Sequence, residues 1–280
     1  MPAQLLAHQG LRTMQPMLNI ALRAARKAGD LIARASEQLD RVQVETKSEN
    51  NFVTEVDRKA EQEIIYHLQK AYPDHGFLGE ESGQTGNADS PYQWIIDPID
   101  GTTNFVRGIP HFAVSIACIN QGQIEHAVIL DPIRREEFTA SRGRGAQVNG
   151  RRVRVAMNTG LEGALLGTGI PFKARCEEHI PAYMRSLETL ASETAGIRRA
   201  GAASLDLAYV AAGRLDGFWE IGLNKWDIAA GILLVREAGG LVSDFKGGGS
   251  YYESGNIVAA NPKCLKGMLQ AIKPHLEDIR

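Results

Sequence analysis

The stretch Trp94-Ile95-Ile96-Asp97-Pro98-Ile99-Asp100-Gly101-Thr102-Thr103 runs from an apolar segment straight into two acids, a glycine and two hydroxyls. Trp94 to Ile96 reads as a strand buried on both faces. Pro98 is expected to stop its hydrogen-bonding ladder. Asp97 and Asp100 then sit on a stiff turn at the strand end, a suitable frame for a hard cation with oxygen ligands. The remaining question is which other acids reach that point.

Composition bounds the answer. The chain has 280 residues and a formal net charge of −2, which fits one large or two modest domains. It excludes a protein whose overall field is strongly basic, as general nucleic-acid binders have, and makes small molecules the expected partners. Cys118, Cys176 and Cys264 are odd in number and show no C-x-x-C spacing. Neither a disulfide framework nor a zinc site is implied, and a reducing, cytoplasmic setting is expected. No apolar run approaches the roughly 20 residues that span a membrane.

Upstream, residues 1–13 lack periodicity and read as an extension before Met14. Leu18, Ala21, Ala25, Ala28 and Ile32 then recur at helical spacing to about Ser36. A polar, strand-poor segment follows through Lys47 to Asn51, and a second helix runs through Ala60, Ile64, Leu68 and Ala71 to Pro73. At its start Thr54 and Asp57 have the spacing of a capping box. Phe77 to Gly79 reads as a short strand ending in Glu80-Glu81-Ser82-Gly83. Such paired acids are either solvated loop residues or a second set of acids delivered to a site at a strand end.

Downstream, Phe112 to Ile119 and Ile124 to Leu130 flank a turn at Asn120 to Gln123, and Glu137 to Ala140 and Arg151 to Val155 extend the pattern. These hairpins imply an antiparallel sheet, so the first domain is expected over 14–155. Beyond it, short strands at Leu165 to Thr168, Gly217 to Glu220, Gly240 to Ser243 and Ile257 to Ala260 alternate with helices. This predicts a mostly parallel α/β domain over 156–280. Lys246 to Ser250 is expected to be a flexible turn. Glu220 ends one strand, and Asp227 opens the helix that begins at Trp226.

Glu80, Asp97, Asp100 and Asp227 thus lie at element ends in two domains. If they converge, their repulsion demands cations, and oxygen-only ligands select Mg²⁺ or Mn²⁺ over zinc.

Asp97-Pro98-Ile99-Asp100-Gly101-Thr102-Thr103-Asn104-Phe105, with Gly79-Glu80-Glu81-Ser82 upstream and Trp226-Asp227-Ile228-Ala229-Ala230-Gly231 downstream, resembles the inositol monophosphatase family, and its bacterial SuhB branch most of all. Arg198-Arg199-Ala200-Gly201 and Val235 to Gly240 agree. The resemblance implies a layered αβαβα sugar-phosphatase fold and a homodimer. It implies a lithium-sensitive, Mg²⁺-dependent hydrolysis of inositol 1-phosphate with two to three ions per site. Glu80, Asp97 and the Ile99 carbonyl match ligands of a first ion, and Asp97, Asp100 and Asp227 those of a second. Thr102 matches a hydroxyl that orients the attacking water, and Asp57 its carboxylate partner. Gly101 and Thr102 are matched to phosphate contacts, and Gly201, Ala203 and Glu220 to inositol contacts. Ala202 stands where some relatives have Thr or Ser.

Alternatives stay open inside the superfamily, namely 3′-phosphoadenosine 5′-phosphate or fructose 1,6-bisphosphate phosphatase. The three-residue spacing of Asp97 and Asp100 excludes the D-x-D nucleophile motif of haloacid-dehalogenase phosphatases. The SuhB likeness also implies a possible partnership with ribosomal-RNA transcription antitermination factors or RNA polymerase. Arg134, Arg135, Arg142, Arg144, Arg151, Arg152 and Arg154 are candidates for such contacts, or else solvated hairpin edges that discourage strand pairing.

Overall fold

The computed structural model describes residues 15–48, 51–170 and 177–279. The expected extension, Met14 and Cys176 lie outside them. In chain order the elements begin with α1 (Pro16–Ser36), β1 (Val44–Ser48), β2 (Asn51–Thr54), α2 (Glu55–Ala71), β3 (Gly76–Gly79), β4 (Gly83–Gly86) and β5 (Tyr92–Asp100). Next come α3 (Thr102–Val106), β6 (Ala113–Asn120), β7 (Gln123–Asp131), β8 (Glu136–Ser141), β9 (Gly145–Val148) and β10 (Arg151–Val153). The second half holds β11 (Leu165–Thr168), α4 (Ile180–Glu193), β12 (Gly196–Arg198), α5 (Ala203–Ala211), β13 (Gly217–Glu220), α6 (Lys225–Glu237), β14 (Leu241–Ser243), α7 (Tyr251–Ser254), β15 (Ile257–Ala260) and α8 (Pro262–Leu276).

Two mixed sheets organise the molecule. The larger has eight strands in the order β10-β9-β8-β7-β6-β5-β3-β4, antiparallel throughout except where β3 runs parallel to β5. The smaller has the order β12-β11-β13-β15-β14. Its first three strands are mutually parallel, β15 is reversed, and β14 returns to the first direction.

The expected layers follow from which residues face which core. Trp94 and Ile96 of β5 pack with Leu18, Ala25 and Ile32 of α1 and with Ile64 and Leu68 of α2. Ile95, on the opposite face, joins a core shared with α5, α6 and the inner face of the second sheet, including Phe218 and Ala259. On the far side Leu166, Trp219 and Val258 are covered by Tyr183 and Leu190 of α4 and by Leu265, Met268 and Ile272 of α8. Each fully buried large apolar side chain contributes about 1.5–3 kcal/mol of burial free energy. The opening strand is therefore sandwiched between helices on both faces, as its unbroken apolar run predicts.

Four local expectations need correction. Pro98 does not end the strand: Asp97 pairs with Ser115 and Asp100 with Ala113, so three steps along β5 match two along β6. The bulge absorbs the proline, which needs no ladder amide there. The polar segment taken as strand-poor forms the β1–β2 hairpin, a short pairing with too little apolar alternation to announce itself. The Thr102 turn continues into α3, a helix too brief for periodicity to reveal. Finally, the glycine-rich turn after β14 is pinned, because the Asp244 carboxylate accepts from the amides of Lys246 (2.9 Å), Gly248 (2.7 Å) and Ser250 (3.1 Å).

Candidate active site

The acids singled out in sequence meet where the ends of β3 and β5 approach the N-termini of α5 and α6. Asp97 is buried, 1% exposed, and one of its oxygens, Oδ1, has no hydrogen-bond partner. Its carboxyl is raised well above the usual range by burial and then by the charges of Glu80, Asp100 and Asp227. Asp227 is pushed to about 8 by burial and Asp100. Asp100 rises only to about 6, since bonds from Ser204 oppose the effect of burial. A buried oxygen without a donor beside three further carboxyls is costly unless a donor or a positive charge offsets it.

Two of the acids are held by hydrogen bonds from a single neighbouring residue each. Asp227 Oδ2 accepts from the amide (2.6 Å) and side chain (3.2 Å) of Asn224 at the start of α6. Asp100 Oδ2 accepts from the Ser204 amide at 2.7 Å and from its hydroxyl. The latter pair lies beside Ala202. That residue is the N-cap of α5 and offers no capping side chain, so Asp100 caps the helix from the other sheet. A carboxylate at a helix N-terminus is favoured by the free amides and the dipole.

Asp57 is held in the capping box and also reaches Thr102. Its Oδ2 accepts from the Thr54 amide (2.8 Å) and hydroxyl (2.5 Å), while Thr54 Oγ1 accepts from the Asp57 amide (3.3 Å), which completes the capping box. Its Oδ1 faces Thr102 Oγ1 at 3.2 Å, and that hydroxyl also lies 3.0 Å from the Ile99 carbonyl. Burial raises Asp57, against the bonds from Thr54 that lower it.

Gly101, at φ +92°, turns the chain from β5 into α3. A Cβ there would lie 3.1 Å from the Gly201 carbonyl, so glycine permits both the left-handed turn and the close approach of the segment before α5. Asn104 ties the same two segments, donating from Nδ2 to the carbonyls of His111 (2.8 Å) and Ala200 (2.9 Å). Ala203 is buried in the first turn of α5.

Glu220, at the end of β13, lies against Gly169, where a Cβ would come within 1.8 Å of its carboxyl. Burial, then Asp227 and Asp100, push Glu220 to about 8, opposed by the Arg199 guanidinium. Bound cations would reverse these upward shifts, since an adjacent positive charge favours the ionised carboxylate.

Among the described residues, no three Asp, Glu, His or Cys side chains are close enough together, as they stand, to hold a metal ion. The donor set nonetheless fits a hard cation that retains water and takes few protein carboxylates, as Mg²⁺ does.

Besides Asn224, which holds Asp227, three contributors were not anticipated. Ser204 serves Asp100, Glu61 holds the turn after Glu80, and Asp206 is a buried acid whose carboxyl is raised well above its usual value by burial, Glu220 and Asp100. Asp206 Oδ1 also lacks a partner. A helical acid four residues beyond Asp57 was the available signal for Glu61; nothing local marked the others.

Comparisons with known proteins agree with this architecture. The sequence profile described as the inositol monophosphatase family matches residues 13–277. The Nus factor SuhB of Pseudomonas aeruginosa is 61% identical over 265 residues, spanning 94% of this chain and 98% of that one. Among solved structures, the suhB protein of Bartonella henselae superimposes with a TM-score of 0.89 at 46% identity, over 92% of this chain and 99% of that one. The inositol monophosphatase of Anabaena gives 0.82 at 34% identity, over 93% and 97%. A profile match over nearly the whole chain, with relatives this similar on the same layered fold, means that the chain belongs to the inositol monophosphatase family.

Proposed function

We propose that the protein is a Mg²⁺-dependent phosphomonoesterase that hydrolyses inositol 1-phosphate and related small alcohol phosphates to the alcohol and inorganic phosphate. The observation that carries this reading is Asp97, buried with an unpartnered oxygen among Glu80, Asp100 and Asp227. Those four carboxylates and the Ile99 carbonyl would hold the ions, two or three of them, with Mn²⁺ an acceptable substitute. When bound, Mg²⁺ offsets the charge of a phosphate dianion and lowers the pKa of a coordinated water.

The chain's own residues orient the reaction. The Thr102 hydroxyl has one proton and two acceptors, Asp57 Oδ1 and the Ile99 carbonyl. Its lone pairs are thereby left to accept a hydrogen bond from the attacking water. The water proton passes through this hydroxyl toward Asp57 Oδ1. As the water oxygen bonds to phosphorus, the ester P–O bond breaks, the departing alcohol oxygen takes a proton from a solvent water, and Asp57 then returns to solvent the proton it received. Gly101 and Thr102 face the phosphate with backbone amides. Glu220 accepts from ring hydroxyls, and the Gly201 and Ala203 backbone lies beside them.

A substrate panel tests this. The expected result is the highest kcat/KM for inositol 1-phosphate, with inhibition by lithium. A strong preference for 3′-phosphoadenosine 5′-phosphate or fructose 1,6-bisphosphate would replace the assignment by one of those two, and indifference to lithium would argue for a remodelled second ion site.

A second reading, from a different class, is an interaction role with transcription antitermination factors or RNA polymerase. It is favoured by the name borne by the similar Pseudomonas aeruginosa and Escherichia coli proteins, Nus factor SuhB. Arg144, Arg151, Arg152 and Arg154 are exposed near the β10 edge and form no ion pair among the described residues, which suits an acidic partner. Charge reversal of Arg151 and Arg152 is expected to abolish such a complex and to leave hydrolysis within about twofold, because surface changes away from a site are usually small. Unaltered complex formation would remove the arginines from that interface.

A further inference from the structure

Three consecutive amides at the end of β3 are tied down. The Glu80 amide donates to the Ile96 carbonyl at 3.1 Å, one residue before Asp97. The amides of Glu81 and Ser82 donate to opposite oxygens of Glu61, at 2.9 and 2.8 Å. Glu61 is 2% exposed and, among the described residues, has no ion-pair partner. A Cβ on Gly79 would fall 2.4 to 2.6 Å from the Glu61 carboxyl atoms, so the carboxyl occupies the space that the glycine leaves.

A buried carboxyl held only by amides, without an ion-pair partner, is a poor stabiliser. What it supplies is geometry. Asp57 and Glu61 are four residues apart on the buried face of α2, hence about 6 Å along the axis. The parallel neighbours β3 and β5 are about 4.8 Å apart. One helical turn therefore presents a carboxylate to each strand end, Asp57 to the Thr102 turn and Glu61 to the Glu80 turn.

We propose that Glu61 is a positioning residue: by gripping the Glu81 and Ser82 amides it fixes the turn that carries Glu80, so that Glu80 stands ready beside Asp97 for a divalent cation. This rests on the metal-dependent reading above. Carboxylate grips of this kind around metal ligands are worth about 10- to 100-fold in affinity.

The test compares full-length wild type, Glu61→Gln and Gly79→Ala by Mg²⁺ calorimetry, by activity against Mg²⁺ concentration, and by hydrogen exchange at the Glu81 and Ser82 amides. Glu61→Gln keeps the shape but can accept from only one amide. It is expected to weaken Mg²⁺ binding about 10- to 100-fold, to regain kcat at saturating Mg²⁺, and to speed exchange at one or both amides. Gly79→Ala should act in the same direction by displacing Glu61, with little added by the double substitution. A merely structural role would lower the melting temperature in chelator and leave Mg²⁺ dependence untouched. Unchanged Mg²⁺ affinity and exchange in a folded Glu61→Gln overturn the inference, whereas wild type that binds no Mg²⁺ overturns it together with the proposed function.

Discussion

Asp97→Asn is expected to lower kcat/KM for inositol 1-phosphate about a thousandfold while raising the melting temperature of the chelated protein. Burial, and then the charges of Glu80, Asp100 and Asp227, raise the Asp97 carboxyl. Asparagine keeps the shape and removes the charge. Without cations the change relieves repulsion in a buried site, which favours folding. With cations present it removes the anionic oxygen that has no other partner, and loss of one preorganised electrostatic group typically costs about 10² to 10³ in rate. Opposite effects on stability and activity are the mark of a functional strain point. Kinetics and chelator melts of one purified variant check both halves. A variant that is less stable in chelator, or nearly as active as wild type, would show that Asp97 serves packing.

The second large effect is on the pH dependence of the cation-free protein. Asp100 is held at about 6, and Glu220 and Asp227 at about 8, burial being the largest cause for each. In the unfolded chain such groups titrate near 4. Between about pH 4 and pH 8 the native protein therefore retains protons that the unfolded chain has released, and stability must fall as pH rises. The contribution is full below about pH 4 and is lost as the pH passes through the folded values. Melting in chelator is expected to drop progressively from about pH 5 to pH 8, and added Mg²⁺ to flatten the curve by stabilising the ionised acids. Superimposable curves with and without Mg²⁺ would deny that these acids share a cation.

These effects depend on an arrangement only partly legible beforehand. The strand at Trp94 to Ile96 and the helices bearing Asp57 and Asp227 follow from apolar periodicity and capping chemistry, which act over a few residues. The apolar run also predicts that β5 is buried on both faces, and the structure supplies α1 with α2 on one side and α5 with α6 on the other. Short elements escaped, namely the β1–β2 hairpin and α3, since four or five residues carry too little pattern. The path through Pro98 escaped as well, because a bulge depends on the partner strand.

The sequence by itself determined which oxygen-bearing residues stand at element ends: Glu80 after one strand, Asp97 and Asp100 along another, Asp227 at a helix start. Those positions are products of local turn and capping preferences. Only the tertiary structure decided what they do to one another. Asp100 caps α5 through Ser204, 104 residues away in sequence, because Ala202 cannot cap and the two sheets share one core. Glu61, which periodicity places on a helix like any surface acid, is buried under the Glu80 turn because Gly79 leaves it room. Contacts between residues so far apart in sequence depend on strand register and layer packing, which no local pattern encodes.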